Sequence, residues 1–216
     1  MIDFSTPQIV VSVGKPKRGK SNAVKWCILK NAVDNQIFKY GIVFSKTAKM
    51  NDDYNYIPKE WIYEDFDTDI LQQFIDGISK LDKKEPCFCV VDDQQGLLNR
   101  NDPVLLNFIS IHRHLNCTLF FNFQYLYGSM PTLRECTTIA LMFNSKGKRT
   151  IEGLFENFGQ LFDNYNDFKN YFLALTKDPF VAMMYLQDVD NINDNYLYFK
   201  CPDMSQKKFK NIILDY

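Results

Sequence analysis

The sequence predicts an α/β fold with a mainly parallel central sheet that helices flank on both faces. Short apolar stretches of strand length alternate with segments of helical periodicity along most of the chain, which is typical of strand–helix–strand units. Two consecutive apolar runs near the C-terminus predict an antiparallel extension of the sheet at that end.

The first predicted elements are two strands around one helix. Residues 8–13 are apolar and rich in valine, which is typical of a buried parallel strand. Residues 20–33 repeat apolar side chains at helical spacing, and residues 37–45 form a second apolar run. The polar stretch 47–61 contains acidic residues and Pro58, so it predicts a long surface loop.

The middle of the chain continues the alternation of helix and strand. Residues 69–81 carry one apolar stripe, with Asp67 or Thr68 as the N-cap of a helix. Residues 87–91 are an uninterrupted apolar strand. Residues 102–114 predict a helix with a proline suited to its first turn.

The remaining predicted elements are two strands, two helices and a terminal pair of strands: residues 117–124, 138–143, 149–160, 166–176, 180–186 and 195–200. The terminal pair predicts a hairpin that extends one edge of the sheet. The sequence contains no internal repeat, low-complexity run or linker. We therefore expect one domain over residues 1–216, with a core of about residues 8–150 and a helical and hairpin extension over about 151–216.

Composition and charge limit the classes of function. A hydrophobic content of 46% and a charged content of 24% are ordinary for a soluble globular protein. No apolar run approaches the roughly 18 residues of a membrane span, and the N-terminus lacks a signal-peptide pattern. The net charge of −1 creates no global attraction to nucleic acid, so contacts with a phosphate backbone must come from local patches.

The cysteine pattern predicts buried, reduced thiols. None of the six cysteines lies in a C-x-x-C pair, and only two histidines are present, which argues against a zinc site. Cys87 and Cys89 alternate along one predicted strand, so both face the same side as small core residues. Reduced thiols indicate a reducing compartment.

The segment GKPKRGKS lies between a predicted strand and a predicted helix. G-x-x-x-x-G-K-S in this context is the phosphate-binding loop, and it assigns the predicted fold to the P-loop NTPases. The glycines let the backbone curl so that its N–H groups point at phosphate oxygens, and the helix N-terminus adds partial positive charge. Lys20 would reach the β- and γ-phosphates of ATP, and the Ser21 hydroxyl would ligate Mg²⁺. The predicted nucleotide-binding residues are Gly14, Lys15, Pro16, Lys17, Arg18, Gly19, Lys20, Ser21 and Asn22.

Two aspartates follow the strand CFCVV, at the sheet edge where ligands bind in open α/β folds. Asp92 would hold Mg²⁺ through water. Asp93 is placed to orient and deprotonate an attacking water. The alternative for Asp93 is a structural cap of the next helix.

The strand of residues 117–124 ends in polar side chains after an aromatic run. Gln124, on a strand predicted to lie beside the aspartate-bearing strand, is the candidate that senses the γ-phosphate and reports hydrolysis. Asn122 could share this role, or either side chain could form a hydrogen bond with a loop.

A resemblance to a known family rests on GKPKRGKS, FCVVDD, HRHLNCTLFFNFQ and MPTLREC, together with IVFSKT followed by YNYIP. This set, over roughly residues 8–150, resembles the genome-packaging ATPases of poxviruses and other large DNA viruses. These enzymes belong to the FtsK–HerA superfamily of DNA-pumping motors. The double aspartate, R-H-x-N and the terminal glutamine in this order are more specific than the phosphate loop alone.

The resemblance implies an ATPase that forms a homo-oligomeric ring, a pentamer or hexamer, and moves double-stranded DNA of any sequence into a preformed capsid. It implies viral capsid or portal proteins as partners. It also implies action in the host cell cytoplasm or at a viral assembly site, with association with the virion as a further option.

In such rings the neighbouring subunit supplies an arginine to the γ-phosphate. The candidates are Arg134, in the P-x-x-R segment, and Arg149, in the K-R-T segment beyond the next strand. Arg113 fits less well, because R-H-x-N is expected to complete the helix before the strand of residues 117–124. The sequence does not decide between Arg134 and Arg149.

The interior of the phosphate loop departs from the family, which usually has small residues where Lys15, Pro16, Lys17 and Arg18 stand here. Such bulky side chains must point outward. Lys17 or Arg18 could touch the γ-phosphate from the same subunit, as a basic loop residue does in some viral packaging motors, or could face DNA or solvent.

Two other classes of protein remain open. A small nucleoside or nucleotide kinase also carries an N-terminal phosphate loop, but the arginine-rich lid typical of such kinases is missing from the sequence. A nucleotide-binding virion morphogenesis protein would share the fold without turnover.

Lysines are the candidate contacts for DNA. Lys146 and Lys148, after a predicted strand end, are the first candidates, followed by Lys15 and Lys17. The lysine-rich C-terminal segment SQKKFKNIILDY could touch DNA or a capsid portal, or remain a solvated charged run.

Overall fold

A computed structural model describes residues 4–34, 38–51, 53–81, 83–126, 130–187 and 195–202. Within these residues eight strands form one sheet, in the spatial order β3-β2-β4-β5-β1-β6-β7-β8. The strands are β1 Ile9–Val13, β2 Tyr40–Ser45, β3 Ile62–Tyr63, β4 Cys87–Asp92, β5 Cys117–Phe123, β6 Ile139–Phe143, β7 Val181–Leu186 and β8 Tyr196–Lys200. The first six strands pair in parallel, whereas β7 and β8 are antiparallel to their neighbours. The predicted P-loop NTPase architecture and its C-terminal hairpin are confirmed.

Seven α-helices connect the strands in the described part of the chain: α1 Lys20–Asp34, α2 Ala48–Asn51, α3 Thr68–Ser79, α4 Pro103–Ile111, α5 Pro131–Cys136, α6 Lys148–Phe158 and α7 Tyr165–Leu175. A short 3₁₀ helix, Lys59–Trp61, precedes β3. Side chains cap three of the α-helices. Asp67, Asp102 and Asn164 each accept two backbone hydrogen bonds at the start of α3, α4 and α7. Such caps satisfy amide groups that the helix itself leaves without partners.

The core consists of two layers, one on each face of the sheet. Alternate strand residues face opposite layers, so Val11 lies in one and Val10 in the other. The first layer packs the sheet against helices α3 to α7. The second packs it against α1 and the segment that follows β2. Cys87 and Cys89 both lie in the first layer, as their alternation predicts.

The prediction that residues 47–61 form a long surface loop is wrong, because part of this segment is buried against the sheet. Tyr54 and Tyr56 are each only 1% exposed, and Ile57 is also buried. These side chains pack in the same layer as α1. The segment therefore covers the sheet beside α1. The buried aromatic side chains of the segment, and not its polar side chains, determine this position.

Several boundaries differ from the prediction. β2 begins at Tyr40, later than expected, and α4 ends at Ile111, followed by turns up to β5. The connection before β6, predicted only as an interruption between strands, forms the short helix α5.

No helix in the described residues is long and apolar enough to cross a membrane. The lysine-rich C-terminal segment lies outside the described residues. The organisation of the whole chain as one domain stays a prediction.

Candidate active site

The predicted phosphate loop joins the end of β1 to the start of α1. A Cβ atom on Gly14 would lie 2.7 Å from the Phe143 Cβ atom, so only glycine allows the loop to approach β6 this closely. Gly19 has a φ angle of +112°, and a Cβ there would meet the Phe180 ring at 3.0 Å. Both glycines are thus required where the loop packs against Phe143 and Phe180.

Lys20 lies at the mouth of this loop and is 8% exposed. Its Nζ donates hydrogen bonds to the carbonyl oxygens of Gly14, at 2.6 Å, and Lys15, at 3.2 Å. Burial lowers the pKa of Lys20, and the negative charges of Asp92 and Asp93 partly offset this effect. The lysine therefore stands between the loop backbone and the two carboxylates.

A row of buried polar residues crosses four adjacent strands at the edge of the sheet that carries the loop. The register aligns Ser45 with Asp92, Asp92 with Asn122, and Asn122 with Ser12. All four residues are buried, and Asp92 is 4% exposed. Burial of four polar side chains in a row is costly in free energy compared with apolar side chains. The row lies at the carboxyl ends of parallel strands, which is where ligands bind in open α/β sheets.

Asp92 accepts hydrogen bonds from two hydroxyl groups at the same oxygen. Ser21 Oγ lies 3.3 Å from Asp92 Oδ2, and the Tyr54 hydroxyl lies 2.8 Å from it. Burial raises the pKa of Asp92, while the hydrogen bond from Tyr54 and the charge of Lys20 act in the opposite direction.

The Ser21 and Asp92 side chains fit the requirements of Mg²⁺. A hydroxyl and a carboxylate within hydrogen-bond distance supply the hard oxygen ligands that this ion prefers. Ser21 is in the first turn of α1, where the phosphates of a nucleotide are favoured, and Asp92 reaches it from the end of β4. No cluster of three or more His, Cys, Asp or Glu side chains suited to a metal occurs in the described residues. Mg²⁺ in nucleotide sites is commonly held by one or two carboxylates together with substrate phosphates and water.

Asp93 and Gln124 form a second pair at this edge. Gln124 Nε2 donates to both carboxylate oxygens of Asp93, at 2.9 Å each. Asp93 has a positive φ angle of 56°, and its N–H donates to the Asn122 carbonyl oxygen, which turns the chain out of β4. The next helix is capped by Asp102. The cap alternative for Asp93 is therefore not what the structure shows.

These residues surround one open cleft of about 430 Å³. Nine of its lining residues are among the predicted site residues: Pro16, Lys17, Gly19, Lys20, Ser21, Asn22, Asp92, Asp93 and Gln124. Thr47, Asp53 and Phe180 also line it and were not predicted. Gly14 forms the base of the loop, Lys15 is exposed, and Arg18 is partly buried outside the lining.

Sequence reasoning also missed Tyr54, although it lies in the YNYIP segment. Two tyrosines separated by one residue within a polar stretch were the available signal. No local signal indicated Phe180, because the β7 hairpin brings it to the loop.

The two candidate arginines lie near opposite ends of the parallel strands. Arg149 is exposed in the first turn of α6, directly after β6 ends beside the phosphate loop. Arg134 lies near the end of α5 and forms an ion pair with Glu135, with Nη2 and Oε1 2.8 Å apart. α5 leads to Thr138, whose N–H donates to the carbonyl oxygen of Ile9 at the start of β1. Arg134 therefore lies toward the amino-terminal ends of the strands, whereas the cleft lies at their carboxyl ends.

The candidate DNA-binding lysines are exposed, and one of them, Lys17, lines the cleft. Lys146 and Lys148 follow β6, and the Lys148 ammonium lies 3.6 Å from a Glu152 carboxylate oxygen. Lys15 and Lys17 are exposed in the loop itself.

Comparison with known proteins gives similarity at the level of structure. No protein-family model and no curated protein matches the chain. The genome packaging NTPase B204 from Sulfolobus turreted icosahedral virus 2, solved in complex with AMPPCP, is 16% identical with a TM-score of 0.65. The match covers 92% of this chain and 98% of that one. The same NTPase in complex with AMP gives a TM-score of 0.67 at 15% identity.

A second group of similar structures comes from secretion ATPases. The cytoplasmic domain of the Thermomonospora curvata type VII secretion ATPase EccC has a TM-score of 0.61 at 12% identity. That match covers 95% of this chain but 27% of the solved cytoplasmic domain. The chain therefore has the P-loop NTPase fold found in a viral genome-packaging NTPase and in secretion ATPases.

Proposed function

We propose that the chain is an ATP-hydrolysing motor that moves double-stranded DNA into a preformed viral capsid. The observation that carries this proposal is the Asp93–Gln124 pair beside the phosphate loop. The fold supports it, since the similarity to the genome packaging NTPase B204 extends over nearly the full length of both chains.

ATP would bind with its phosphates at the N-terminus of α1. The backbone N–H groups of the loop and of Asn22 surround the phosphates, and the ammonium of Lys20 pairs with the β- and γ-phosphates. Ser21 and Asp92 would hold Mg²⁺, which when bound neutralises charge on the phosphates. Burial of Lys20 and Asp92 strengthens these electrostatic interactions, because little water screens them.

Hydrolysis would use Asp93 as the general base for the attacking water. Gln124 holds both oxygens of the Asp93 carboxylate and so fixes its plane. The same amide can sense the γ-phosphate, because it lines the cleft together with Lys20. Base and sensor therefore form one hydrogen-bonded unit across β4 and β5.

A neighbouring subunit would complete the site. No arginine is among the described residues that line the cleft, while the charge of a γ-phosphate in its transition state favours one. We assign this role to Arg149 of an adjacent subunit, since it is exposed at the loop-bearing edge. Arg134 remains the alternative, and Lys17 or Arg18 could act within the same subunit. A ring of five or six subunits would supply such interfaces.

DNA would be held by its phosphates through lysines around the ring. The net charge of −1 means that no single subunit attracts DNA strongly. Four lysines are exposed, Lys15, Lys17, Lys146 and Lys148, so assembly can add up many weak contacts with the DNA backbone. The partners would include capsid or portal proteins, in the host cytoplasm or at a viral assembly site, with association with the virion as a further option.

The test is to identify the products of ATP turnover. We expect ADP and inorganic phosphate with water as acceptor, and complete loss of turnover in Lys20→Ala. Lys84→Ala, at an exposed lysine before β4, is the control and should retain activity. Transfer of the phosphoryl group to an added nucleoside or nucleotide would identify a kinase, and ATP binding without turnover would identify a nucleotide-binding assembly protein. Either result would contradict the proposal.

A further inference from the structure

The Tyr54 hydroxyl, on the segment between β2 and β3, donates a 2.8 Å hydrogen bond to Asp92 Oδ2. Tyr54 and Asp92 are 38 residues apart, and both are almost fully removed from solvent. We propose that Tyr54 is a positioning residue, which holds the Asp92 carboxylate in the orientation that binds Mg²⁺ with the nucleotide. This inference rests on the proposed function, because it concerns the same nucleotide site.

The surroundings of Tyr54 fix the direction of its hydroxyl. Its ring packs beside that of Tyr56, with centroids 6.1 Å apart. Tyr56 in turn lies under the Lys25 ammonium of α1, 5.2 Å from the ring centroid. A buried ring packed beside another ring has few rotamers open to it, which restricts the direction from which the Tyr54 hydroxyl meets Asp92.

The position of the hydrogen bond on Asp92 indicates orientation of the carboxylate and not only stability of the fold. Ser21, the other residue suited to Mg²⁺, donates to the same Oδ2 atom, at 3.3 Å. Two hydroxyl groups that meet at one carboxylate oxygen restrict rotation of the group. Hydrogen-bond partners of metal ligands commonly orient them in this way.

The chain supplies a matched control two residues away. Tyr56 is as buried as Tyr54, but its hydroxyl has no hydrogen-bond partner among the residues that the structure describes. Tyr54→Phe and Tyr56→Phe each remove one buried hydroxyl from the same segment, and only the first removes a bond to Asp92.

The experiment titrates Mg²⁺ at a fixed concentration of a fluorescent ATP analogue and follows binding, with a parallel titration of the analogue in EDTA. For Tyr54→Phe we expect the half-saturating Mg²⁺ concentration to rise about 10- to 100-fold, with binding in EDTA unchanged. Tyr56→Phe should match the wild type in both titrations. Protein with 4-fluorophenylalanine at position 54 fills the space of the hydroxyl without donating, and it should behave as Tyr54→Phe does if that variant folds poorly.

An unchanged Mg²⁺ dependence in both proteins altered at position 54 would overturn the inference, as would an equal shift in Tyr56→Phe. In both cases normal binding by the wild type would leave the proposed function intact. A wild-type protein that binds no ATP analogue at any Mg²⁺ concentration would overturn the proposed function itself.

Discussion

Replacing Asp93 with asparagine removes the proposed general base while keeping the size of the side chain. In the structure Gln124 Nε2 donates to both carboxylate oxygens at 2.9 Å. An asparagine amide turns one of these acceptors into a donor and removes the negative charge, so one bond is lost and the other is no longer charge-assisted. The local cost is about 1.5–3 kcal/mol, the range for hydrogen bonds to charged groups. Loss of a general base costs about 10²- to 10⁴-fold in rate.

The assay is single-turnover phosphate release, with ATP affinity measured separately. We expect Asp93→Asn to bind ATP within a few-fold of the wild type, because Lys20, Ser21 and Asp92 are untouched, and to release phosphate at least about 100-fold more slowly. Asp67→Asn is the control, since Asp67 caps α3 through two backbone hydrogen bonds and asparagine is an equally good cap. Phosphate release by Asp93→Asn at the wild-type rate would refute the assignment of Asp93 as base.

Two further predictions concern the arginines and a buried histidine. Mixing Asp93→Asn subunits with Arg149→Ala subunits should restore ATP turnover at mixed interfaces. Mixing Asp93→Asn subunits with Arg134→Ala subunits should give no such restoration. No restoration with Arg149→Ala would exclude the action of Arg149 on a neighbour. Burial lowers the pKa of His112, so the unfolded chain binds more protons than the folded one below about pH 6.5. The contribution of His112 to the free energy of unfolding should therefore be complete above that pH and should decrease as the pH drops below it. Urea titrations at several pH values should show a shallower fall for His112→Leu, and identical pH profiles would contradict this assignment.

The sheet and the phosphate loop could be predicted because their signals are local. Apolar runs such as CFCVV predict buried strands without help from the rest of the chain. The pattern G-x-x-x-x-G-K-S between a strand and a helix predicts a loop that binds phosphate. The adjacency of β4 and β5 follows the expectation that Asp92 and the strand of residues 117–124 lie side by side. Because parallel strands have their carboxyl ends on the same side of the sheet, the polar residues that follow β4 and β5 lie close together.

The remaining features depend on contacts between distant parts of the chain. The segment with Tyr54 is polar on average, so its sequence indicated a surface loop, although two of its tyrosines pack beneath α1. Phe180 reaches Gly19 only because β7 reverses direction beside β6. The separate positions of Arg134 and Arg149 follow from the short helix α5, which the sequence did not indicate.

The most direct test of the proposed motor is the rate of ATP hydrolysis by assembled protein with and without duplex DNA. Two duplexes of unrelated sequence should be compared between about 50 and 200 mM salt, where contacts with phosphates weaken steeply. We predict equal stimulation by both duplexes, loss of stimulation as salt rises, and no turnover in Lys20→Ala. A rate that ignores DNA at every salt concentration, or that responds to only one of the two sequences, would contradict a sequence-independent DNA motor.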